Sequence, residues 1–302
     1  MMDARRDGVS LRQGAALVQA PWQTPGYLMV IGGADRLDPN FTIPRLFVQL
    51  VRRVEANTYL RGIVLISTAT RHPEVLTAEY IRIFSHVGYS SDRVRAPLIR
   101  TRDEAHDPDR VGMLSQAAGI FVTGGDQYTL VNVLDRSPVE QAIMQAYGNG
   151  AVVAGTSAGA TAMGRPMLVA GGGHGELRMG VVQMSHGLGW VGDDLIIDTH
   201  FGARGRFPRL LAAVAEHPAA LGVGIDENTC LILDAEWRGT VAGTGVVYFV
   251  DASHLQFNSA DPAHPGYPIS IGPLSVNALA AGALYDLRTR RPLLAIQDLH
   301  PV

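Results

Sequence analysis

AVVAGTSAGATAMG, residues 151–164, sets one serine, Ser157, at a junction between two kinds of chain. Residues 151–155 are small, apolar and read as a short buried strand; from Ala158 onward the alanine-rich stretch reads as a helix. Gly155 and Gly159 flank the serine in the spacing G-x-S-x-G, which is that of a nucleophile elbow. The chemistry needs this spacing because the turn holds the serine in a strained, exposed conformation while the glycines let neighbouring backbone pass close by. The helix contributes its first N–H groups beside the serine oxygen, where they can hold an oxyanion.

Working outward, strand and helix signals alternate. YLMVIGG (27–33), GIVLIST (62–68), RVRAPLI (93–99) and GIFVTGG (119–125) are apolar, β-rich runs. Helical spacing is expected over 44–56, 76–87, 108–118 and 138–149. Short buried strands separated by helices predict an α/β fold with a mostly parallel sheet covered by helices on both faces. After residue 219 the spacing tightens. LGVGIDENTCLILD (221–234) and GTGVVYFVD (243–251) read as closely spaced strands, expected to extend the same sheet in antiparallel fashion. Residues 1–25 read as a polar tail, and 26–302 as a single domain.

At 302 residues, with 47% hydrophobic content and a mean hydropathy of +0.11, the chain can bury a large core. The net charge of −3 with no arginine-rich run argues against nucleic acid or an anionic membrane as partner. Residues 1–20 lack a continuous apolar segment, no run of about 18 apolar residues occurs, and the expected compartment is the cytoplasm. The one cysteine, Cys230, excludes an intrachain disulfide and multi-cysteine metal sites. All 25 lysine-or-arginine positions are arginine, which excludes a Walker A lysine, a Schiff-base lysine and a lysine general base. No cofactor or metal is expected.

Ligands of an open parallel sheet collect beyond the C-terminal strand ends, where Gly32, Gly33, Gly124 to Gln127 and Ser157 all fall. The IGGADR segment lacks the G-x-G-x-x-G spacing of a dinucleotide site. A serine nucleophile needs a base and an orienting acid. His200 ends the apolar run LIIDTH and precedes Arg204, Arg206 and Arg209. Arginines at a helix start oppose its dipole, which points to an anionic ligand there. Between Ser157 and His200 the acids are Glu176, Asp193, Asp194 and Asp198; Glu176, in a glycine-rich loop able to fold over the elbow, is the expected orienting acid, with Asp198 second. The N–H groups of Gly125 and Ala158 are the expected oxyanion pair, with Asp126 and Gln127 at the pocket edge.

With GGADR at 32–36, GGDQ at 124–127, GTSAGA at 155–160, ID-x-HF then R-x-R-x-x-R across 197–209, and GIDENT at 224–229, the chain resembles the cyanophycinases of the peptidase S51 group. These are serine hydrolases related to the aspartyl dipeptidases. The resemblance implies a flavodoxin-like fold near that of class I glutamine amidotransferases, with serine in place of their cysteine. It implies Ser157 as nucleophile, His200 as base and Glu176 as acid, with Gln127, Asp198, Arg204, Arg206, Arg209 and Asn228 binding substrate. The family pattern has glutamine, a substrate contact, where this chain has Thr199, and threonine is too short to replace it.

The function so implied is a cofactor-free serine exopeptidase, expected as a homodimer, that hydrolyses the aspartate backbone of multi-L-arginyl-poly-L-aspartate to β-Asp-Arg dipeptides. The alternatives are an aspartyl or isoaspartyl dipeptidase, an amidotransferase-like binding module without hydrolysis, and an α/β-hydrolase esterase using His264 or His300 as base.

Overall fold

The computed structural model describes residues 26–171 and 176–293. In chain order the first half runs β1 (Tyr27–Ile31), α1 (Thr42–Asn57), β2 (Ile63–Ile66), α2 (Pro73–His86), β3 (Val94–Arg95), α3 (Pro108–Ser115), β4 (Gly119–Val122), α4 (Gln127–Leu134), α5 (Pro138–Gly148), β5 (Val152–Thr156) and α6 (Ala158–Met163). The second half runs β6 (Met167–Gly171), β7 (Val182–Ser185), β8 (Leu195–Thr199), α7 (Phe207–Glu216), β9 (Leu221–Ile225), β10 (Thr229–Leu233), β11 (Arg238–Gly243) and β12 (Val246–Asp251). Five short strands close it: β13 (Phe257–Asn258), β14 (Ile271–Gly272), β15 (Ser275–Ala280), β16 (Leu284–Asp286) and β17 (Arg291–Pro292).

The central sheet has the order β17-β16-β11-β10-β1-β5-β4-β2-β3. Its five strands from β1 to β3 are parallel. The run β3-β2-β4-β5 follows the flavodoxin-like order, and the first strand of the chain takes the next place. Strands β1, β2, β4 and β5 are buried along almost their whole length because helices cover both faces. Helix α1 shows why: Ile43, Phe47, Val48, Val51 and Val54 share one face and bury it. The edge strand β3 is shorter than the expected 93–99, since Pro97 has no N–H to donate to a ladder. Helix α4, which the apolar spacing did not reveal, starts where the Asp126 carboxylate accepts the Thr129 N–H.

The C-terminal strands depart from expectation. Strands β10, β11, β16 and β17 do extend the central sheet beyond β1, each antiparallel to its neighbour, but β9 and β12 do not join it. They form a second sheet, β15-β12-β9-β8, in which β8 and β9 are parallel neighbours connected through α7. Between β9 and β10 the chain therefore crosses from one sheet to the other in three residues, Asp226, Glu227 and Asn228. No helix among the described residues is long and apolar enough to cross a membrane.

Candidate active site

Strand β5 ends at Thr156, and the next residue turns the chain through φ 53°, ψ −116°, a conformation outside the regions open to ordinary L-residues. That residue is Ser157. The turn is tight enough to demand its glycines: a Cβ at Gly155 would lie 2.6 Å from the Gly159 carbonyl oxygen, and one at Gly159 would lie 2.5 Å from that of Val122. The serine N–H donates to Ile31 O at 3.0 Å, which fixes the elbow to the end of β1.

His200 follows β8 with φ 51°, and its N–H donates to Gly32 O at 2.8 Å. Gly33 lies against the imidazole, where a Cβ would come within 2.5 Å of Nε2, so a side chain at this position would displace the ring. Nε2 is 2.8 Å from Ser157 Oγ. On the other side of the ring, Nδ1 is 2.6 Å from Glu227 Oε1. With Nδ1 donating to the carboxylate, Nε2 carries the lone pair that faces the serine hydroxyl. The imidazole side chain is 13% exposed, the Glu227 side chain 39%.

Glu227 stands in the crossing between the sheets, and Asn228 beside it has φ 52° and donates its N–H to Gly33 O at 2.9 Å. Asp226 holds both flanks, accepting the Gly202 N–H at 2.8 Å and the Val246 N–H at 3.0 Å. The expected acid, Glu176, is elsewhere: its carboxylate pairs with Arg178 at 3.4 Å and is 63% exposed. Asp198 is also unavailable to His200. Its side chain is fully buried and Oδ1 accepts from Arg206 at 3.1 Å, Arg209 at 3.0 Å and the Thr199 N–H at 3.0 Å. Burial raises its carboxyl above the ordinary value, opposed by the two guanidiniums.

Several of the residues expected to contact substrate have partners within the protein. Arg206 and Arg209 hold a carboxylate, but it is that of Asp198; Arg206 also donates to Thr199 O at 2.6 Å and Arg209 to Gly171 O at 3.1 Å. Thr199 itself is 3% exposed, a buried strand residue. Gln127 donates its amide N–H groups to Leu168 O at 2.9 Å and Val169 O at 2.8 Å, binding α4 to the β6–β7 hairpin, and Asp126 caps α4. The Asn228 Oδ1 is buried without a partner among the described residues. Arg204 is exposed, and its guanidinium has no partner among the described residues. The N–H groups of Gly125, at the turn after β4, and Ala158, the first residue of α6, are likewise uncommitted, whereas the Asp126 N–H between them in sequence donates to Ala69 O at 2.7 Å.

A cavity of about 610 Å³ opens over Ser157 and His200. Arg204, Glu227, Gly124 and Gly125 line it, as do Asp35 and Arg36 of the GGADR motif, Leu37 and one face of α2, none of which was expected in the site. Asp35 is 1% exposed; it accepts from Tyr80 Oη at 3.0 Å and from Thr156 Oγ1, the residue before the nucleophile, at 2.5 Å. Burial raises its carboxyl above the usual range and Tyr80's hydroxyl well above its own. The Cys230 thiol, fully buried, is pushed up for the same reason.

The model of peptidase family S51 matches residues 28–237. The chain belongs to this family. Among its S51 relatives, the cyanophycinase of Nostoc sp. is 35% identical over 301 residues, 99% of this chain and 98% of the relative. That of Synechococcus elongatus is 33% identical over 267 residues, 88% and 80% of the two chains. The crystal structure of a peptidase from an acI-B1 Actinobacterium has the same fold, with a TM-score of 0.65 at 20% identity over 88% of this chain and 98% of that one. The hydrogen-bonded serine, histidine and carboxylate come in the order Ser157, His200, Glu227, on the ends of strands from both sheets.

Proposed function

We propose that this peptidase hydrolyses cyanophycin, multi-L-arginyl-poly-L-aspartate, releasing β-Asp-Arg dipeptides, with Ser157 as nucleophile, His200 as general base and Glu227 as the acid that orients it. The observation that carries the mechanism is the unbroken hydrogen-bonded chain from Ser157 Oγ through His200 to Glu227. Near full-length similarity to cyanophycinases supports the substrate.

Ser157 Oγ attacks the scissile carbonyl carbon as its proton passes to His200 Nε2, and Glu227 stabilises the imidazolium so formed. The carbonyl oxygen becomes an oxyanion facing the N–H groups of Gly125 and Ala158. Collapse of the intermediate breaks the C–N bond and His200 returns the proton to the leaving amine. Water, deprotonated by the same imidazole, then attacks the acyl-serine; Ser157 leaves and is reprotonated. Arg204 is the arginine placed to meet a substrate carboxylate, since the other two are engaged by Asp198. The same reading makes the enzyme a cytoplasmic homodimer, and light scattering on the eluted protein measures that state.

Incubating the protein with purified cyanophycin and analysing soluble products by mass spectrometry tests the reading. β-Asp-Arg is expected from the wild type and none from Ser157→Ala. Release of free aspartate from α-linked Asp-X dipeptides with no turnover of the polymer would instead make it an aspartyl dipeptidase.

A further inference from the structure

Resting on the reading above, we propose that Glu79 is the residue that recognises the guanidinium of the substrate, exchanging its present partner, Arg36, for it. Three carboxylates line the cavity beside the nucleophile. Asp35 is buried and engaged by Tyr80 and Thr156; Glu227 is engaged by His200. Among the described residues Glu79 is held only by Arg36, at 3.0 and 3.1 Å from one guanidinium nitrogen.

Burial separates this pair from the other arginine–carboxylate contact near the site. Arg36 and Glu79 side chains are 40% and 29% exposed, whereas Asp198, between Arg206 and Arg209, is 0% exposed. An exposed pair already competes with water and opens at little cost; a buried one leaves an uncompensated charge when opened. Glu79 is therefore the carboxylate that a cationic ligand can take over, with Arg36 as the internal cation it displaces.

The surroundings fit an arginine side chain in particular. His72, Val75, Leu76, Glu79 and Tyr80 recur at the spacing of one helix face and turn that face of α2 to the cavity. Val75 and Leu37, 69% and 68% exposed, are large apolar side chains at the rim. A long aliphatic stem laid on them carries a cationic head toward the carboxylate, which is how arginine divides its apolar and charged parts.

The test compares short β-Asp-Arg oligomers with oligomers bearing citrulline, the uncharged isostere of arginine, for the wild type, E79Q and R36Q. The wild type is expected to prefer the arginyl oligomer at least tenfold in kcat/KM, chiefly through KM. E79Q is expected to bring that ratio close to one, and R36Q, by removing the competing cation, to lower KM for the arginyl oligomer a few-fold. An E79Q enzyme that keeps the wild-type ratio, or an R36Q enzyme whose KM rises, overturns the assignment while the cyanophycin reading stands. A wild type that turns over neither oligomer nor cyanophycin overturns both.

Discussion

Glu227 Oε1 lies 2.6 Å from His200 Nδ1 across 27 residues of chain. The contact exists because β8 and β9 are parallel neighbours whose ends meet: His200 follows the first, and the crossing that holds Glu227 follows the second. Parallel pairing thus brings His200 and Glu227 to the same edge.

Glu227→Gln is expected to lower kcat by about a hundredfold to ten-thousandfold, because a neutral amide neither fixes the imidazole tautomer nor stabilises imidazolium. Glu176→Ala, on an exposed carboxylate that among the described residues pairs only with Arg178, should stay within about twofold of wild type. Steady-state kinetics on one substrate preparation compare the two, and a reversed order would return the acid role to Glu176.

Ser157→Ala should remove turnover by several orders of magnitude and leave the melting temperature nearly unchanged or slightly shifted. The side chain is half-buried, but the backbone strain at φ 53° stays with either residue. Residual activity above a few per cent in a contamination-free preparation contradicts a serine mechanism.

The three arginines should separate into two kinds. Arg209→Ala leaves the buried Asp198 charge with one guanidinium fewer and is expected to cost about 3–5 kcal/mol of stability, read by urea denaturation. Arg204→Ala, at an exposed position, should leave the denaturation midpoint in place and raise KM for an anionic substrate. Equal loss of stability in both variants would refute the distinction.

Asp35 has a pH signature with a definite sign. Burial raises its folded-state pKa above the ordinary 3.8, so the folded protein binds this proton more tightly than the unfolded chain does. The contribution is full below 3.8 and is lost as pH rises through the folded-state value. Relative to Asp35→Asn, which cannot titrate, wild-type stability should therefore fall as pH rises over that window and then level. Denaturation curves of both proteins across the range decide it; a difference that grows in favour of the wild type means the carboxylate is held ionised.

The elbow was legible because its glycines are dictated by local contacts, as Gly155 and Gly159 each face a carbonyl oxygen within van der Waals distance. The parallel strands were legible for a similar reason, burial on both faces. Glu227 was not, because an acid was sought between Ser157 and His200, whereas sheet pairing brings in a residue from beyond them. The available signal was in GIDENT: three consecutive polar residues joining two apolar strands mark a turn at a strand end, where functional groups collect. Within the arginine cluster, Arg206 and Arg209 meet an anion of the protein itself, while Arg204 stays exposed. The anion of that pair is Asp198, and no local pattern reveals that a strand carboxylate two positions before His200 turns inward.

Gly32 and Gly33 bond to three partners at once: Gly32 to Thr229 O and the His200 N–H, Gly33 to the Asn228 N–H. One dipeptide therefore serves as the common rivet for the base, the acid's neighbour and the strand that leads away from both. The second sheet cannot slide against the first without drawing imidazole from hydroxyl. Turnover is thereby a gauge of inter-sheet registry, and on gentle heating it should fade before far-ultraviolet circular dichroism records any loss of helix.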